Sequence, residues 1–347
     1  SYEVLANEQR WAEAQWSGVE LGDVRRSARA IKIGAKLAEL PSGSLPQQQG
    51  SWGDVKAAYR LLNEADVSYE ALSQGHWNSS LETAKCQTDV VLFIQDGSEL
   101  NYSKHKATTG LGYIGNGQGK GFQLHSCLTV NAKTQDVLGL VRQQVWIRES
   151  LVRDRQSRGE TIVRTEGEVW ATTLEELGAV PEGLHQRWVS VGDRNSDIFS
   201  YIRRAKALSW ECLLRVNKNR QVIVAGQKTK LLPGLRSLEP QTTTTLRKRG
   251  RDGQAQREVE LNVAWSAITL LPPIREKASE PIEGYCIRVW ESKAGKDAIE
   301  WLLFTTLAIR SDEQALWYIH CYSLRWLIEE YHKALKTGCA IEQRQLT

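Results

Sequence analysis

Two short runs constrain this chain more than anything else in it. Residues 90–96 read VVLFIQD and residues 188–193 read WVSVGD. Both are mostly apolar and rich in β-forming residues. A strand of that composition is covered on both faces, which is the habit of strands inside an α/β sheet. Each run ends on a carboxylate, Asp96 in the first and Asp193 in the second. The C-terminal ends of strands are where α/β sheets place their functional groups.

A third carboxylate lies on a helix. Residues 311–338 read SDEQALWYIHCYSLRWLIEEYHKALKTG. Ser311 with Gln314 three residues on forms a capping box, and Gly338 suits a stop after Lys336, so one helix is predicted between them. Trp317, Cys321, Leu324, Ile328, Tyr331 and Leu335 recur at steps of four and three and make an apolar stripe. Tyr322, Arg325, Glu329, His332 and Lys336 make a second, polar stripe. One face can dock on a core while the other presents a carboxylate among cations and an aromatic ring. A carboxylate can ligate a metal, and Arg and Lys can hold phosphates. The combination suggests chemistry on a nucleic-acid backbone. On residue types alone, the stripe also reads as a solvated face laced with ion pairs.

The full spacing Y-x2-R-x3-E-x6-K resembles the signature of the bacterial cut-and-paste DDE transposases of the IS-four family, Tn-five-like members included. The contexts of Asp96 and Asp193 resemble those of that family's first two catalytic acids. LGDVRRSAR at 21–29 and AAYRLLNEADVS at 57–68 are similar to its DNA-binding domain. The similarity runs in patches from about residue 15 to residue 344. It implies that Asp96, Asp193 and Glu329 are the catalytic, metal-holding acids. The implied ion is Mg2+, with Mn2+ as a substitute, and two ions about 3.5–4 Å apart suit phosphodiester displacement. Asp197 and Glu330 are the nearest competing acids. Tyr322, Arg325, Lys333 and Lys336, with Arg215 in LLRV, are implied to hold phosphates flanking the scissile bond. Trp301 in EWLLFTT is implied to stack on a base flipped from the duplex. The implied partners are double-stranded transposon ends, target DNA and a second copy of the chain. A cytoplasmic, nucleoid-associated location goes with them; the helical dimerisation region with which the family usually continues is not expected within the chain, whose sequence stops at Thr347.

At 347 residues two domains are expected. A helical DNA-end-binding domain is assigned to 1–75. A ribonuclease-H-like α/β domain, with a mixed sheet and a β-rich insertion at about 220–300, is assigned to 76–347. Net charge is only +4, so basic character must be local. Arg25, Arg29, Lys32 and Lys36 follow helical steps between 21 and 40, with Arg26 beside them, and form a candidate phosphate-binding face. Val24, Ala28, Ile31 and Ala35 can form the apolar side of that helix. Residues 41–53 read as a loop before a helix at about 54–63. Strands near 90–95, 122–130 and 137–146 precede a helix near 165–178. The strand ending at Asp193, a helix near 196–207 and a strand at 211–216 follow. In a ribonuclease-H-like sheet the first and fourth of these strands are neighbours, which would bring Asp96 to Asp193. A hairpin with Arg247, Lys248, Arg249 and Arg251 at its tip is expected in the insertion. The six scattered cysteines show no zinc spacing and read as buried thiols. No run reads as a transmembrane span or a signal peptide. Two rival readings remain: a ribonuclease-H-like nuclease without transposition, and a non-catalytic DNA-binding regulator.

Overall fold

The computed structural model describes residues 7–148, 167–248, 257–292 and 298–344. Five helices come first: α1 (Glu8–Trp16), α2 (Val24–Glu39), α3 (Leu45–Gln49), α4 (Trp52–Leu62) and α5 (Tyr69–Lys85). Helix α2 lies where the cationic stripe was expected, but it buries a different side. Ala30, Ile33, Gly34 and Ala35 face inward, and Val24 is 81% exposed. The cause is close approach to α1: a Cβ on Gly34 would lie 2.0 Å from Trp16 Cζ3. Helix α3 occupies the segment expected to be a loop. Ser44 and Gln47 form a capping box there, with Pro46 in the first turn, a pairing that starts a helix. Helix α5 runs unbroken through residue 76. Its Leu72 carbonyl accepts a 2.8 Å hydrogen bond from Trp16 Nε1, and its later turns pack on β4.

The remaining strands are β1 (Val91–Asn101), β2 (Gly112–Ile114), β3 (Gly119–Asn131), β4 (Val137–Trp146), β5 (Trp188–Gly192), β6 (Glu211–Arg215), β7 (Gln221–Val224), β8 (Gln227–Lys230), β9 (Thr242–Lys248), β10 (Arg257–Leu270), β11 (Ile282–Glu291) and β12 (Glu300–Thr305). They form one mixed sheet in the order β2-β3-β1-β5-β6-β12-β11-β10-β7-β8, with β4 on β3 and β9 on β10. β1 and β5 pair in parallel, as do β5 and β6. The expected neighbouring of the two acid-bearing strands is therefore present. The insertion continues the same sheet, because β12 pairs with β6. The hairpin β9–β10 is also present; its tip, with Arg249 and Arg251, lies outside the described residues.

One face of the sheet carries Phe93, Trp188, Trp210 and Phe304. It is covered by α6 (Glu168–Leu177) and α7 (Phe199–Ala207). The other carries Leu92, Ile94, Val189, Val191 and Leu213. It is covered by α9 (Asp312–Ser323) and α10 (Trp326–Lys333). A short α8 (Leu231–Arg236) packs on the insertion. Cys127, Cys212, Cys286 and Cys321 are buried free thiols, while Cys86 is exposed. Among the described residues no helix is long and apolar enough to cross a membrane.

The single helix expected over 311–336 is instead α9 and α10 joined by a tighter turn. The N–H groups of Leu324, Arg325, Leu327 and Ile328 each donate to the carbonyl three residues back, at 3.0–3.3 Å. That is 3₁₀ bonding, which eclipses side chains three apart. After α10, residues Ala334–Gly338 form a π turn, closed by Cys339 N–H on the Ala334 carbonyl at 2.9 Å.

Candidate active site

Strand parity places the acids. Leu92 and Ile94 of β1 face α9 and α10, so Asp96, two residues on, faces them too. Val189 and Val191 of β5 face the same way, and Asp193 follows in that parity. Ile94 pairs with Val191, so the two acids stand at register-equivalent points just past the paired segment. Helix α10 docks on this face through Ile328, which brings the next residue, Glu329, to the rim with a side chain 53% exposed.

Arg325 ties the acids together. Its Nη1 donates to Asp96 Oδ2 at 3.1 Å, and its Nη2 donates to Glu329 Oε1. The Asp96 side chain is only 15% exposed. Burial is the main reason its pKa is pushed up to about 6; the Asp193 and Glu329 charges push the same way, against the Arg325 guanidinium and the Gly97 N–H. Asp193 is held from within its own loop, accepting from Asn195 N at 2.8 Å and Asn195 Nδ2 at 3.0 Å. Asn195 has a part that sequence reasoning missed. An Asn two residues after an Asp at a strand end is the local signal for it.

Tyr322 does not lie on a solvated stripe. It is 4% exposed and packs in the core beneath α9. The 3₁₀ turn sets Arg325 over it, and its hydroxyl lies between the Arg325 and Arg215 guanidinium groups. Trp301 meets the Tyr322 ring edge-on, with centroids 5.5 Å apart. Asp96, Asp193, Glu329, Tyr322, Arg325, Arg215 and Trp301 therefore form one neighbourhood. Lys333 follows Glu329 by one turn of α10 and is exposed, with its Nζ 3.9 Å from Glu330 Oε2. Lys336 lies in the π turn, close enough to His332 to help burial depress that imidazole's pKa to about 4. His332 is buried too, so it leaves the polar stripe.

The competing acids are accounted for. Asp197 is buried, accepts from the Asn217 and Lys218 N–H groups at 2.7 and 2.6 Å, and pairs with Arg220. That carboxylate fastens a loop and has no free oxygen to offer. Glu330 faces Lys333.

Among the described residues no group of three acids, histidines or cysteines is assembled as a finished metal cage. In the arrangement described, Arg325 bridges two of the three carboxylates. The donor set nevertheless suits a hard divalent cation. It consists of oxygens, and Asp96 sits where burial and neighbouring acids disfavour its charge, a cost that a cation removes.

Each cation of the α2 stripe has an acid nearby. Arg25 pairs with Asp23, Arg29 and Lys32 share Asp54, Lys36 pairs with Glu39, and Arg26 reaches Glu64 and Asp66. These contacts are surface pairs of small individual worth.

A parallel core extended by antiparallel strands, with one carboxylate inside β1 and a second just past β5 at matching register, under a helix bearing a third, is a ribonuclease-H-like catalytic fold. Residues 129–347, well over half of the chain, match the family model described as Transposase DDE domain. Residues 8–67 match the one described as Transposase DNA-binding. The chain belongs to the DDE transposases. DNA is its partner, and domains of this kind generally use divalent metal ions. The DDE match contains Asp193 and Glu329. Asp96 lies upstream of it, on the strand that pairs with β3 residue for residue.

Proposed function

We propose that this chain is an IS-four-type, Tn-five-like cut-and-paste transposase that binds the inverted-repeat ends of its own element as a synapsed dimer. Water nicks one strand, the freed 3′-OH attacks the opposite strand to give a hairpin, and a second water opens it. The 3′-OH ends then attack target DNA. The observation that carries this reading is the convergence of Asp96, Asp193 and Glu329 on one sheet face, with Arg325 bridging two of them. Those three acids would hold the Mg2+ ions, which supply activation of the attacking oxygen and stabilisation of the leaving one. Arg325 and Arg215 hold phosphates beside the acids, with the buried Tyr322 hydroxyl bracing their guanidinium groups, and Lys333 and the π-turn Lys336 hold phosphate further along the chain. The test is incubation of the protein with Mg2+ and linear DNA carrying the element's end. Hairpin-terminated product is expected; nicked or degraded product alone would indicate a plain nuclease instead.

Trp301 is assigned to stacking on a flipped base. Trp301→Ala is expected to nick the end at the wild-type rate, accumulate nicked DNA and make little hairpin. A stacked base recovers about 1–3 kcal/mol, which offsets unstacking as one strand bends back. An abasic substrate at the flipped position should partly rescue the variant. Hairpins at the normal rate would return Trp301 to the core packing around Tyr322.

The α2 stripe is assigned to end-DNA phosphates. Arg25→Ala and Arg29→Ala are each expected to shallow the slope of log K against log salt by about 0.9. An unchanged slope in both would leave these residues in their pairs with Asp23 and Asp54.

A further inference from the structure

A row of side chains crosses the sheet from Asp96 to its edge. Asp96 of β1 stands opposite Ser126 of β3, and Ser126 opposite Gln143 of β4. Directly opposed residues share a face, so all three lie under α10. Gln143 is buried, and its whole amide is engaged. Nε2 donates to Ser126 Oγ at 2.9 Å and to the Tyr331 hydroxyl at 2.8 Å, while Oε1 accepts from the Tyr69 hydroxyl at 2.5 Å. Beside it, His332 Nε2 lies 3.0 Å from Ser126 Oγ. Tyr331 and His332 follow Glu329 by two and three residues on the same helix. Two successive side chains of α10 are thus fastened to the row that ends on Asp96.

The third bond leads elsewhere. Tyr69 opens α5, the helix that Trp16 grips through the Leu72 carbonyl and Gln15 through His76 at 2.7 Å. Gln143 is therefore the meeting point of the helix bearing Glu329, the strand beside Asp96 and the helix that seats the N-terminal domain. A buried amide with all its polar groups engaged is held in place by its three partners.

We propose that Gln143 is a positioning residue for Glu329. With Ser126 and His332 it fixes the roll of α10 over Asp96, and through Tyr69 it makes that roll depend on where the N-terminal helices sit. This rests on the transposase reading above. Gln143 touches neither DNA nor metal, and it acts through Tyr331 and the helix. Partners standing one step behind a metal-holding group usually change affinity or rate by about 10–100-fold when removed.

The test compares Gln143→Leu, Tyr331→Phe and Tyr69→Phe with wild type, each checked by melting temperature. Three quantities are read: end-DNA affinity, single-turnover nicking at saturating DNA, and calorimetric Mn2+ affinity without DNA. Gln143→Leu and Tyr331→Phe should keep end-DNA affinity within about twofold, and should lose about 10-fold or more in nicking and in Mn2+ affinity. Tyr69→Phe leaves the bonds to α10 in place, so it should keep Mn2+ affinity while nicking slows. Its effect should vanish in the Gln143→Leu background, because the two act in series. The Tyr→Phe changes delete one oxygen each, so they decide the matter if Gln143→Leu fails to fold. Lowered melting temperature with unchanged nicking and Mn2+ affinity would make the network plain packing and overturn the proposal. Wild-type protein that cuts no end DNA would overturn the transposase reading itself; wild type and variants that cut equally well would overturn only the role of Gln143.

Discussion

Replacing Asp96, Asp193 or Glu329 singly by alanine is expected to abolish strand cleavage while end-DNA binding stays near wild type. Each change removes one of the three carboxylates on the side of the sheet that α10 covers. Transition-state charge stabilisation by bound metal is worth several kcal/mol, and each 1.36 kcal/mol is tenfold in rate. A loss of about a thousandfold or more per acid follows. Binding should survive, because an acid contributes nothing favourable to a polyanion and the phosphate-binding stripe assigned to α2 lies on a different element from all three. The measurements are nicking of a labelled end in Mg2+ and a gel-shift titration of the same DNA in EDTA. Asp197→Asn supplies the contrast. It should lower stability through the buried Arg220 pair while the folded fraction keeps its chemistry. If all three alanine variants lose binding together with cleavage, the acids are structural and the site lies elsewhere.

Asp96→Asn is expected to stabilise the metal-free protein at pH 8. The Asp96 carboxyl is raised from 3.8 to about 6 in the folded chain. Between these values the unfolded chain gives up a proton that the folded chain keeps. Stability therefore falls as pH rises through that window, and the loss is complete above pH 6. Two pKa units correspond to at most about 3 kcal/mol. The broken contact with Arg325 offsets part of it, so a net gain of about 1–2 kcal/mol at pH 8 is expected, with no gain at pH 4. Melting curves from pH 4 to 8 read this directly. Mg2+ or Mn2+ should raise the melting temperature of wild type at pH 8 and leave Asp96→Asn little changed. Equal pH slopes for the two proteins would mean that Asp96 titrates normally and is not under strain from its neighbours.

What could be read in advance followed local rules. VVLFIQD and WVSVGD had to be buried strands, and their terminal acids had to stand near one another once the strands paired. The extent of α2 was equally legible; the neighbouring of β1 and β5 came only with the ribonuclease-H-like reading, and the continuation of the sheet through β12 was not foreseen. The inward side of α2 was not, because it depends on Trp16 pressing on Gly34, a contact between separate helices. Tyr322 and His332 shared a helical stripe with Glu329 on paper, yet both are buried: a 3₁₀ turn alters the winding between Tyr322 and Glu329, and His332, just ahead of the π turn, reaches Ser126 on the sheet. Nothing in the residue types announces either turn. Gln143 was invisible for another reason: a glutamine in VRQQVW looks like any strand residue until three hydroxyls converge on it. The segment 45–49 was legible and missed, since Ser44 and Gln47 already formed a capping box around Pro46.

The changing pitch of the segment 321–339 also limits how it can evolve. It holds an overwound turn before Glu329 and an underwound one after it, and the Tyr322–Lys336 interval has a meaning only at its present length. Side chains along it can be exchanged one at a time. An inserted or deleted residue, which a surface loop would absorb, would here swing every later side chain by about 100° around the axis. Glu329 would part from Asp96, or Tyr331 and His332 from the row beneath them. In descendants of this chain, insertions and deletions should therefore collect in the connections around the sheet and spare these nineteen positions, however far the residue identities drift.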